Sequence, residues 1–96
     1  MSKEKEVKIF KLSSGEELIG HVEEPDDGDF TKWKVSNARM LGMDPQSGRP
    51  AMMPFMMLNP ERPVIISISN ITAVSVSVPT EVEKKFLEDT TGIALS

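Results

Sequence analysis

With 96 residues the chain has the length of one domain, and with no cysteine it offers neither a disulfide nor a thiolate metal site. A formal net charge of -4 argues against a general polyanion binder, and 39% apolar but only 5% aromatic residues call for an aliphatic core in which seven methionines stand in for rings. The start "MSKEKEVKIF" holds no signal-peptide core and no segment reaches the roughly 18 apolar residues of a membrane span, so a soluble, cytoplasmic chain with no membrane contact is expected.

The first strand is predicted in "EVKIFKL", with Val7, Ile9 and Lys11 on one side and Lys8, Phe10 and Leu12 on the other. "SSGEE" reads as a hairpin turn and "ELIGHVEE" as the second strand, in which Leu18, Gly20 and Val22 share a face and Gly20 marks a sharp bend or a close backbone approach. After the polar turn "EEPDDGDF" a third strand is expected in "TKWKVSNARMLGM", which "DPQSGRP" ends. "PVIISISNITAVSVSVP" alternates cleanly and reads as one or two strands, with Val64, Ile66 and Ile68 on one face, Val74, Val76 and Val78 likewise, and a very short turn at Ser69-Asn70.

"PTEVEKKFLEDTTG" is the one predicted helix. Thr80 and Glu83 are spaced as a capping box, Gly92 as a C-terminal cap, and Val82, Phe86 and Leu87 form the apolar stripe. Short strands at about ten-residue spacing indicate a mainly β fold, a small five-stranded, strongly bent antiparallel barrel with one C-terminal α-helix that covers an open end. The expected organisation is one domain over 1-96, with barrel strands in 7-78 and the helix in 79-92.

"KLSSGEELIGHV" resembles the first conserved segment of Sm and Sm-like proteins, the group that includes the bacterial Hfq rings. The matching residues are Leu12, Gly15, Leu18, Gly20 and Val22; "KVSNARML" looks like the family's third strand, and "VIISISNITAVSV" like its fourth strand, tiny turn and fifth strand. The resemblance implies a homo-oligomeric ring of five to seven subunits, closed by pairing the fourth strand of one copy with the fifth of the next, and single-stranded RNA as ligand. The alternative is a non-catalytic structural or protein-interaction ring, without a cofactor, that has lost RNA recognition. Two family features are replaced: Lys32 stands where the base-holding Asn belongs, and Ser67 and Ile68 where an Arg-Gly pair precedes the fifth strand. The helix is C-terminal rather than N-terminal. A divergent member encoded by a bacteriophage, and so acting in host cytoplasm, is the expectation.

The charge distribution singles out the middle of the chain, where residues 32-62 hold two Lys and three Arg against two acids, while residues 1-31 hold four Lys against nine. Lys32, Trp33 and Lys34 there put an aromatic between two cations, as single-stranded RNA sites do, or else Trp33 is simply the largest core side chain. Ser69 and Asn70 fall in the turn that lines the pore of Sm-like rings, and are equally at home in any turn. His21 has no Cys partner, "DDGDF" lacks the calcium-loop spacing and "SSGEE" lacks the phosphate-loop Lys, so no metal site, phosphate site or catalytic set is assigned.

"AMMPFMMLNPERP" packs four methionines between prolines, and adjacent methionines on a strand point to opposite faces. Core, partner groove and subunit interface are all readings of it, and the interface is favoured. "VIISIS" and "AVSVSV" carry neither charge nor central proline to guard an open sheet edge. Met53, Met56, Val64, Ile66, Ile68, Val74 and Val76 are therefore the expected subunit-interface residues.

Overall fold

The computed structural model describes residues 6-56 and 62-91. The first two apolar segments form a hairpin, β1 (Glu6–Leu12) and β2 (Glu17–Glu23), with Phe10 opposite Leu18 and Ile9 opposite Ile19. Its turn closes because Gly15 takes a φ of 106°, which only glycine adopts without a steric cost, so that its N–H bonds the Leu12 carbonyl at 2.9 Å. Phe10, Leu12, Leu18 and Val22 face one side and join Val35, Ala38 and Ile66 in the core. On the alternate positions Ile9, Ile19 and His21 face the other side.

β3 (Lys32–Met43) lies against β2, but its register shifts once. Ile19 pairs with Arg39 and His21 with Ser36, so the single residue Gly20 opposes both Asn37 and Ala38. This is a β-bulge, and Asn37 makes it with a φ of 56°, a conformation that Asn tolerates better than most side chains. The strands approach so closely here that a Cβ on Gly20 would sit 2.5 Å from Val35 Cγ1 and 3.2 Å from the Ser36 carbonyl oxygen. The bend expected at Gly20 is thus a close approach. Past the bulge the alternation of β3 resumes in the opposite phase: Ala38 and Met40 face the core and Arg39 faces out.

The far edge of β3 is shared. Arg39 to Met43 pair with β4 (Pro50–Pro54), and Lys32 to Val35 pair with β5 (Val64–Ser67), with the Phe55 N–H bonded to the Ala38 carbonyl at 3.1 Å between them. β4 is the strand that the five-strand expectation lacked. The apolar start of the methionine stretch has to cover the long, otherwise bare end of β3, and does so by pairing with it.

A three-residue 3-10 turn, Ile68–Asn70, links β5 to β6 (Ile71–Val74), which pairs with β1 on the other side of the sheet. The order is β4-β3-β2-β1-β6, with β5 also on β3. So short a link between the two sides requires the sheet to bend strongly back on itself. Among the described residues no ladder joins β5 to β6, so the sheet curls without a closing pair. β6 stops at Val74, where a longer run to Val78 was expected; Ser75 still donates to the Ile9 carbonyl at 2.8 Å, and Val76 then stands fully exposed in a bend.

α1 (Thr80–Thr91) starts one residue earlier than the capping-box spacing implies, because the Pro79 carbonyl, not that of Thr80, accepts the first helical N–H, from Glu83 at 3.0 Å. Gly92, the expected C-terminal cap, lies outside the described residues. Phe86 is completely buried, with its ring 5.1 Å from that of His21, and Arg39 Nε donates to Asp89 at 3.1 Å. His21 and Arg39 both belong to the outward face, so α1 covers the outside of β2 and β3 rather than an open end.

The bulge carries a stability prediction. Gly20→Ala should lower the unfolding free energy by about 1–3 kcal/mol through overpacking against Val35, measured by urea denaturation. Gly42→Ala, with no atom within 4 Å of its new methyl, should change it by less than about 0.5 kcal/mol.

Candidate nucleic-acid interface and open strand edges

Three backbone connections gather one end of the molecule around the 3-10 turn. Ile68 N–H bonds the Thr31 carbonyl at 2.8 Å, Ser13 N–H bonds the Asn70 carbonyl at 2.7 Å, and Lys32 pairs in register with Ser67. Of the five residues proposed from the sequence for RNA, these connections bring Lys32, Ser69 and Asn70 to the same end. Ser67 and Ser69 share a hydroxyl hydrogen bond of 2.8 Å, which orients the polar side of the turn.

Trp33 and Lys34 leave that end. Trp33 is half-buried against the core, with its ring edge-on to Phe10 at 5.3 Å and 89°, because strand alternation that puts Lys32 outside puts Trp33 inside. Lys34 points outward to the Asp26 carboxylate, 3.4 Å away. Lys32 also meets a carboxylate, Asp29, at 3.5 Å. The Thr31 hydroxyl, at 2.6 Å, and the Thr31 N–H, at 2.9 Å, hold the Asp29 carboxyl below the usual carboxylate range, with Lys32 a smaller contributor.

An aromatic that the sequence reading passed over lies beside this group. Phe30 is 80% exposed and directly precedes Thr31, whose carbonyl is tied to the turn. Its signal was there to be read: a phenylalanine inside the acidic turn "DDGDF" sits on no alternating strand and has no core to enter.

The expected interface residues separate into three places. Val64 and Ile66 face inward from β5, and Ile66 is buried in the core; Ile68 is in the 3-10 turn rather than on a strand, and is exposed. Val74 and Val76 lie exposed at the end of β6. Met53, opposite Met40 on β4, and Met56, just past β4, are exposed as well, whereas Met57 lies outside the described residues.

The three outer edges differ in their protection. Pro50 and Pro54 bracket β4 and lack the N–H a further strand would need, while β5 and β6 contain no proline and no charge. A groove of about 500 Å³ runs beside β5, walled by Leu12, Phe55, Met56, Val64 and Ile66 with Asn70 at its rim. Among the described residues no cluster of His, Asp and Glu is arranged to hold a metal ion, and no helix is long and apolar enough to cross a membrane.

Trp33→Ala should reduce stability by about 2 kcal/mol, somewhat below the 3–5 kcal/mol of a fully buried aromatic, whereas Lys34→Ala should cost less than about 1 kcal/mol; urea midpoints separate the two. In carboxyl-detected NMR titrations Asp29 should titrate below an ordinary aspartate, and Thr31→Val should move it back up. In comparisons with known protein families and with curated proteins, the chain matches no family and no curated sequence.

Proposed function

We propose that this chain is a non-catalytic Sm-like module that assembles through its β5 and β6 edges into a homo-oligomeric ring and binds single-stranded RNA at the end formed by the 3-10 turn. The observation that carries the assembly is the contrast between edges. β4 is stopped by proline at both ends, but β5 and β6 present unguarded aliphatic edges, with Ile65 55% and Val74 43% exposed. Such edges associate unless they are paired, and a head-to-tail pairing of β5 with β6 of another copy uses both at once.

The ligand reading rests on Phe30, Lys32, Ser69 and Asn70 at one end. An exposed ring offers a stacking face, the hydroxyl and amide offer hydrogen bonds to base edges, and the lysine offers one phosphate contact. Both Lys32 and Lys34 already have carboxylate partners, so stacking and polar contacts outweigh charge neutralisation, and the salt dependence of binding is shallow. The same two ion pairs favour a second reading, a protein-interaction ring that binds no RNA.

Fluorescence anisotropy of labelled U-rich and A-rich oligonucleotides separates the readings. The RNA reading expects saturable binding that Phe30→Ala weakens roughly tenfold, the equivalent of one lost base stack at about 1–3 kcal/mol. Absence of binding at low salt refutes it and leaves the ring without RNA.

A further inference from the structure

The helix leaves room beneath its first half. Phe86 is fully buried with its ring against His21, and Asp89 holds Arg39, so α1 is seated at its C-terminal half. One turn earlier on the same stripe, Val82 is only half-buried. Ile9, Leu41 and Met43 on the outer face of the sheet, with Pro79 and Val82 above, wall a chamber of about 460 Å³, within the range of small-molecule sites. Two polar residues also line it: the Ser75 hydroxyl donates to the Ser77 carbonyl at 2.5 Å, and Glu17 is exposed to solvent. The register partners Met43 and Pro50 both line the chamber, and Pro50 also lines a second cavity of about 800 Å³ between the β3-β4 turn and α1.

In that second cavity the lining changes character. Ala51 and Met52 continue the apolar wall, but Arg49, Lys84 and Lys85 bring three cations, none of them in an ion pair among the described residues. Asp44, Glu81 and Glu88 bring three carboxylates. Asp44 is engaged by its own turn, where the Gln46 N–H at 3.0 Å and the Ser47 hydroxyl at 3.1 Å hold its carboxyl below the usual carboxylate range. Three cations balanced by three acids suit a ligand with one negative charge and oppose a run of phosphates. We propose that the space under α1 binds a single-chain anionic amphiphile, a free fatty carboxylate. Its hydrocarbon chain lies among Ile9, Leu41, Met43 and Val82, and its carboxylate meets Arg49, Lys84 and Lys85. Burial of the chain supplies the driving force, and the unpaired cations set its direction. Glu17, which lines the chamber but not the second cavity, repels a head that enters the other way round.

The test titrates the isotope-labelled full chain with dodecanoate below its micelle concentration, and in parallel with dodecylammonium, and follows amide shifts by NMR. Saturable binding of one dodecanoate per chain is expected, with shifts concentrated at Ile9, Leu41, Met43 and Val82. The double variant Arg49→Gln/Lys84→Gln, which changes two exposed side chains and so leaves the fold intact, should bind dodecanoate roughly tenfold more weakly. Leu41→Trp fills the chamber and should abolish binding, with circular dichroism confirming that the variant is folded. Dodecylammonium that binds as tightly as dodecanoate, or a double variant that binds like wild type, overturns the proposal by removing the head site. Absence of saturable binding, or shifts gathered at the β5 and β6 edges instead, overturns it as well.

Discussion

The close approach of Gly20 to the bulged segment of β3 is the constraint on which the other features depend. A twisted sheet this small bends enough to bring its two sides within a three-residue link only if one strand gains length over its neighbour, and the bulge at Asn37 and Ala38 supplies that extra residue. The same residue resets the alternation of β3. Without it, Arg39 would point into the core between Val35 and Met40, an uncompensated buried charge costing several kcal/mol. With it, Arg39 points outward and meets Asp89 of α1, so the helix finds its ion-pair anchor and Phe86 its place against His21.

The bulge also determines what is left open. Once β3 is committed to β2 on one side, its other edge has two lengths to fill, and β4 and β5 take one each. β6 reaches β1 on the opposite side, and the ladder that would join it to β5 is missing among the described residues. The result is a sheet with two apolar edges and a groove beside one of them, β5. In a chain of this size, which buries only about 60–65% of its unfolded surface, such an edge is the natural place to bury more by association.

Much of this was readable beforehand. The alternation of Phe10 and Leu12, of Leu18 and Val22, and the run from Val64 to Val74 gave strand positions and inward faces, because period-two patterning needs no tertiary information. The capping region and apolar stripe gave the helix to within a residue. What could not be read was where alternation breaks. Nothing local in "KVSNARML" says that Asn37 takes a left-handed conformation; only Gly20, far away in sequence, makes room for it. The same gap hid the fate of Trp33, since Lys-Trp-Lys looks alike whether the ring faces core or solvent, and it hid β4, whose pairing depends on how far β3 extends. The turn at Ser69 and Asn70 was legible because turn chemistry is local, whereas the exposure of Phe30 was missed because exposure is a property of the folded loop.

Edge association is the claim that organises this account, and amide hydrogen exchange followed against protein concentration tests it most directly. Protection at Val64 to Ser67 and at Ile71 to Val74 should rise as the chain is concentrated from nanomolar to micromolar, while Ala51 to Met53 on β4 stay unchanged. Exchange at β5 and β6 that is independent of concentration, in a chain that remains monomeric, would contradict it.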